Sequence, residues 1–148
     1  MPATSPNAHL ASARVNVPAN YAIKEATRPE SLGRWALGSM DLRPTEKTGV
    51  FRGTSLFDCS ESLVEIVPNL EQWLVDYRVG PEGARLPVVS IRVFPAESLG
   101  GSGEACLVAL LAWRGWQVSD ERWARTCTTH ETEILLLKAQ LEASWKRA

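Results

Sequence analysis

The last quarter of the chain limits its fold more than any other stretch. From Asp120 to Lys146 it contains neither glycine nor proline. Ser119 offers a side-chain N-cap, and Asp120 and Glu121 put negative charge where a helix N-terminus favours it. At 100° per residue, Trp123, Cys127, His130, Ile134, Leu137, Leu141 and Trp145 share one face. About 27 residues at 1.5 Å each predict a helix of roughly 40 Å, long enough to cross a small sheet. Leu136 falls on the opposite face, as a scattered exposed leucine or as a contact with a second copy in a homodimer.

The stretch from Met40 to Gln117 has a different period. Short β-branched and aromatic runs are separated by turn residues. Phe51, Gly53, Ser55 and Phe57 alternate with Arg52 and Thr54, and Leu63–Val67 forms the next strand beyond a turn at Asp58–Ser62. Trp73, Val75, Tyr77 and Val79 alternate with Gln72, Leu74, Asp76 and Arg78. Gly80-Pro81-Glu82-Gly83 is a turn, and Val89, Ile91 and Val93 alternate with Ser90 and Arg92. After the connection Gly100–Gly103, Ala105–Gln117 reads as a long apolar strand, a candidate for the sheet centre. Successive strands with short turns predict an antiparallel meander. Upstream lie a strand near Leu10–Val17 and a short helix around Tyr21–Ala26. A second short helix, Glu30–Leu37, has Pro29 in its first turn, Leu32 and Trp35 inward, and a stop at Gly38.

These elements make one α+β domain over residues 8–148, preceded by a flexible arm at 1–7. A chain of 148 residues buries enough surface to fold without a metal or disulfide staple. Sixteen basic and 17 acidic side chains leave a net charge of −1, which gives no pull toward nucleic acid or an anionic membrane. No uncharged apolar run approaches a membrane span, and Met1–Asn7 lacks the basic start and apolar segment of a signal peptide. The odd count of Cys59, Cys106 and Cys127 argues against a disulfide framework and for buried thiols in a reducing cytoplasm. With only His9 and His130 and no CxxC pair, neither a metal site nor a cofactor is expected.

His130 is the main candidate for chemistry. It interrupts the apolar face of the long helix, with Cys127 and Ile134 one turn away and Glu131 at the margin. Aimed at a cavity it could move a proton, and otherwise it is a buried histidine bonded to a neighbour. No second titratable group is placed beside it. Neither Gly-x-Ser-x-Gly nor Ser-x-x-Lys occurs, and Gly100–Gly103 lacks the Lys-Ser/Thr ending of a phosphate loop. Tyr77 shares its face with Trp73 and is expected inward. Arg92, Asp41 and Arg43 are expected in solvent. Six tryptophans either fill the core or line a roomy cavity. The candidate ligand-contacting set is Trp73, Tyr77, Ile91, Trp113, Trp123, Cys127, His130 and Ile134.

Three segments carry a family resemblance: Arg28-Pro-Glu-Ser-Leu-Gly-Arg-Trp35, Val64-Glu-Ile-Val-Pro-Asn-Leu-Glu-Gln-Trp-Leu-Val-Asp-Tyr77, and Arg122-Trp-Ala-Arg-Thr-Cys-Thr-Thr-His-Glu-Thr-Glu-Ile134 continuing through Leu137. In this order of elements the chain, from Leu10 to Trp145, resembles the START-domain and polyketide cyclase/dehydrase-like (SRPBCC) superfamily, the helix-grip fold. The resemblance implies a curved antiparallel sheet of about seven strands around the long helix, with two short helices after the first strand. It also implies a cavity for an apolar small molecule such as a lipid, a polyketide or an aromatic compound. Members include carriers, aromatase/cyclases and chaperone co-activators, so the fold does not fix the function. Three readings follow: a binding module, a cyclase/dehydratase-type enzyme with His130 as acid or base, and a ligand-free interaction domain. No catalytic set is carried over, because the motifs are diffuse.

Overall fold

The computed structural model describes residues 7–147. The chain runs β1 (Ala8–Val15), α1 (Ala19–Ala26), α2 (Pro29–Trp35), β2 (Met40–Pro44), β3 (Val50–Thr54), β4 (Glu61–Asn69), β5 (Leu74–Val79), β6 (Leu86–Pro95), β7 (Cys106–Trp113) and α3 (Asp120–Arg147). Single 3-10 turns occupy Leu70–Gln72 and Ala96–Leu99. The arm expected at 1–7 lies, apart from Asn7, outside the described residues. No helix among the described residues is long and apolar enough to cross a membrane.

All seven strands join one antiparallel sheet in the order β1-β7-β6-β5-β4-β3-β2. Strands β2 to β7 are a meander. The exception is β1, which pairs with β7 from Ala8↔Trp113 to Val15↔Cys106 across about a hundred residues of sequence. That pairing makes β7 the neighbour of an edge strand, not the sheet centre expected of it. β7 also ends at Trp113, short of Gln117. There Arg114 turns the chain toward α3: its guanidinium donates to the Val118 carbonyl and to Asp120. Register slips between Met40 and Arg43 and between Tyr77 and Val79 bend the sheet, as bulges do.

Each helix buries the stripe its sequence supplies. α1 begins after Pro18 and buries Ala19, Ala22, Ile23 and Ala26, which recur at i, i+3, i+4 and i+7. α2 carries Pro29 at its start and buries Leu32, Gly33 and Trp35. Gly33 is there because backbone passes close by: a Cβ on it would stand 2.8 Å from the Leu42 nitrogen. α3 extends from Asp120, with the Ser119 hydroxyl accepting from the Arg122 amide. It buries Trp123, Cys127, His130, Glu133, Ile134, Leu137 and Leu141. Each large apolar side chain among these contributes about 1.5–3 kcal/mol by leaving water. Trp145 lies half in solvent against Tyr21, ring centroids 4.9 Å apart. Leu136 is exposed, beside the still more exposed Leu135.

The main core joins Val15, Ile23, Trp35, Val75, Ile91, Leu110, Leu137 and their neighbours. Trp123 and Cys127 pack separately against Ala112. Cys106 and Cys127 are buried as expected, but Cys59 is exposed: it lies in the loop between β3 and β4, at φ 61°. Three tryptophans neither fill the core nor line a cavity: Trp113 and Trp116 are 53% and 99% exposed, and Trp145 flanks Tyr21.

Candidate functional site

A cavity of about 440 Å³ lies between α3, α2 and the strands β4, β5 and β6. Its floor is apolar and aromatic: Leu32 and Trp35 from α2, Val64 from β4, Tyr77 and Val79 from β5, and Val89 from β6. Its mouth lies between the β3–β4 loop (Phe57, Asp58, Ser60) and the first turns of α3 (Arg122, Arg125), all exposed. The alternation of β5 explains the floor. Val75 and Tyr77 turn inward while Arg78 turns out, and Tyr77 Oη donates to the Ala26 carbonyl at 2.6 Å. Burial holds the phenol proton well above the ordinary tyrosine value, so Tyr77 braces the end of α1 and does not titrate.

α3 contributes a stripe beside its apolar one: Arg122, Arg125, Thr126, Thr129, His130 and Glu133 all line the cavity. From Arg122 to Glu133 is 11 positions, about 16 Å at 1.5 Å each. The stripe passes from charged and exposed at the mouth to buried at the inner end, where His130 and Glu133 are 7% and 5% exposed. The two stand at i and i+3, with His130 Nε2 3.6 Å from Glu133 Oε1. That separation is too long for a direct hydrogen bond. The other carboxyl oxygen of Glu133 accepts from the Leu37 amide at 2.7 Å, just beyond the end of α2. His130 Nδ1 and Trp35 Nε1 are buried with no hydrogen-bond partner. Both residues line the cavity, while the two nitrogens themselves are closed off from it, so a polar partner reaches either one only if the neighbouring side chains shift slightly.

The electrostatics of the pair follow from burial. Loss of water pushes the Glu133 carboxyl up to about 7, against a smaller lowering by the Leu37 amide. Loss of water, with help from the charge of His9 on β1, brings His130 down to about 4. Near neutral pH the imidazole is therefore uncharged and the carboxyl is close to its midpoint. Two groups whose environments drive their pKa values in opposite directions are the usual arrangement of an acid and a base. The two buried thiols offer no rival nucleophile: burial raises Cys106 to about 11 and also raises Cys127.

Of the side chains singled out from sequence, Tyr77 and His130 meet in this cavity. Ile91 and Ile134 lie in the filled core, Trp123 and Cys127 in their separate cluster, and Trp73 packs half-buried beside the core at φ 55°. Trp113 projects from the last residue of β7 into solvent. None of these six lines the cavity. Glu133, the unpartnered indole N–H of Trp35 and the arginines at the mouth are not foreseen from the sequence. Glu131, expected at the margin of the inward face, lies outside against His9 at 3.3 Å. The available signal for Glu133 was its place at i+3 from His130 and i+10 from Trp123 on the inward side of the helix.

No family model matches the sequence, and no curated protein does. Solved structures do. An uncharacterised protein from Bacillus thuringiensis superposes with a TM-score of 0.69 at 16% identity, over 90% of this chain and 98% of that one. The Aha1 dimer from Colwellia psychrerythraea gives 0.64 at 13%, over 91% and 96%. StfQ, a di-domain ARO/CYC from the steffimycin biosynthetic pathway, gives 0.63 at 13%, over 93% of this chain and 46% of that one, about one of its two domains. At these identities the likeness is one of fold. The chain has the helix-grip fold that its element order resembled: seven antiparallel strands in an unclosed sheet, two short helices after the first strand, and a long C-terminal helix.

Proposed function

We propose that this protein binds an apolar or aromatic small molecule in the cavity between the sheet and α3. The observation that carries the reading is the cavity of about 440 Å³ itself, floored by Leu32, Val64, Tyr77, Val79 and Val89, with Trp35 and His130 among its lining residues and each holding a ring nitrogen that has no partner. A mostly apolar concavity with a few convergent polar groups is the usual form of a small-molecule site. The indole N–H can only donate, so it suits a ligand carbonyl or hydroxyl oxygen at the inner end. The fold neighbour StfQ, an ARO/CYC protein, agrees with such a site, while a shared fold alone does not fix a role. Native mass spectrometry of freshly purified protein, followed by titration with 2-naphthamide, tests the reading. One bound molecule per chain supports it. A chain that retains nothing and takes up no probe contradicts it.

A second reading, acid–base catalysis, is favoured by Glu133. Proton transfer generally needs two titratable groups, and the cavity supplies them in His130 and Glu133. For a carbonyl ligand, neutral His130 would take a proton from the carbon beside the carbonyl while protonated Glu133 gives one to its oxygen, a net enolisation. Exchange of the methyl protons of 2-acetylnaphthalene into heavy water tests this. Enhancement over the uncatalysed rate, lost in both His130→Ala and Glu133→Gln, supports catalysis. Unchanged exchange with bound probe leaves the protein a binder.

A further inference from the structure

The mouth of the cavity narrows the class of ligand. Arg122 and Arg125 stand at i and i+3, so their side chains leave α3 on the same side, and both line the cavity. Neither guanidinium has a hydrogen bond or ion pair among the described residues, whereas Arg114, just before the helix, is held by Val118 and Asp120. Among the described residues lining the mouth, the one acidic side chain is Asp58, occupied by the amide and hydroxyl of Ser60 at 3.0 and 2.7 Å. Those bonds keep its carboxylate ionised. Two arginines against one aspartate leave the mouth with a single net positive charge. That excess is matched by one carboxylate and not by a dianion. Behind the mouth the stripe on α3 gives way to the hydroxyls of Thr126 and Thr129, and then to the apolar floor around Trp35 and Tyr77.

We propose that the cavity selects an amphipathic monocarboxylic acid, its carboxylate held by Arg122 and Arg125 and its apolar or ring body lying inward along α3 toward Trp35 and Tyr77. This rests on the binding reading above and names the ligand class for that same cavity. Arginine forks suit a carboxylate because two N–H groups meet its two oxygens. The positions are exposed, so the gain is modest, and their replacement leaves the core untouched.

The test compares 2-naphthoic acid with 2-naphthamide, bodies of the same size that differ in charge, by calorimetric titration of the full chain near neutral pH. The acid is expected to bind about tenfold more tightly, the gain of two partly screened ion pairs. In the double variant Arg122→Gln/Arg125→Gln the acid should fall to the affinity of the amide, while the amide changes by less than about twofold, since it never used the charge. Equal affinities in the native protein overturn the proposal, and so does a preference for the acid that survives in the double variant. If neither compound binds, the binding reading falls with it; if the amide binds as well as the acid, only the carboxylate assignment falls.

Discussion

Glu133 follows His130 by one helical turn, 3.6 Å from its Nε2, and fixes its other carboxyl oxygen on the Leu37 amide at 2.7 Å. The helix and the end of α2 thus meet through one buried acid. The inner wall of the cavity depends on a group that is costly to ionise.

That cost predicts an unusual dependence of stability on pH. Glu133 holds its proton more tightly folded than unfolded, about 7 against 4.5. Its contribution is therefore fully present below the unfolded value and is lost as the pH rises through 7. His130 is shifted the other way, from 6.5 to about 4, so its contribution is present above 6.5 and lost as the pH falls through 4. Glu133→Gln should remove the alkaline loss, on the order of 1–3 kcal/mol. Urea unfolding of both proteins from about pH 5 to about pH 8.5 measures it, as that range spans the shifted carboxyl. Curves of the two proteins that stay parallel across this range would show that Glu133 is not desolvated.

Tyr77→Phe should destabilise the fold by about 1–2 kcal/mol, since the change strands the Ala26 carbonyl while leaving the ring in place. The bond lost is the 2.6 Å link between β5 and the end of α1. Chemical denaturation gives the loss directly. A neutral result would mean that water replaces the phenol at Ala26, which its burial argues against.

Gly33→Ala should cost more than helix propensity alone would suggest. Alanine is the better helix former, but its Cβ would meet the Leu42 and Asp41 backbone nitrogens at 2.8 and 3.2 Å. Backbone on β2 must move, at about 1–3 kcal/mol. A thermal midpoint that drops supports the close packing of α2 on β2, whereas a rise would indicate that the two are not in contact.

How much of this was legible in the sequence depended on how local the cause was. The limits of α3 follow from Ser119, the two acids after it and a run free of glycine and proline, all close in the chain. The inward turn of Val75 and Tyr77 follows from strand alternation. The place of β7 could not be read, because its neighbour β1 lies about a hundred residues away and nothing in either strand names its partner. The cavity was only half visible. His130 stood out as a break in an apolar face, but Glu133 resembles the many solvated carboxylates of a helix until α2 is seen covering it. The arginines at the mouth look like ordinary surface charge until the β3–β4 loop is placed opposite them. Tryptophan count misled for a related reason: Trp35 turns inward from a short helix, while Trp113 and Trp116 mark the point where β7 has left the core.

The most direct measurement follows the indole N–H signals of the six tryptophans by nuclear magnetic resonance during titration with 2-naphthamide, assigned through Trp35→Phe. Trp35 has its N–H buried without a partner at the cavity, and Trp113 and Trp116 lie in solvent. The expected result is a saturable shift of the Trp35 signal, with those of Trp113 and Trp116 unmoved. A Trp35 signal that stays fixed while the probe binds, or shifts confined to Trp113 and Trp116, would contradict the cavity as the binding site.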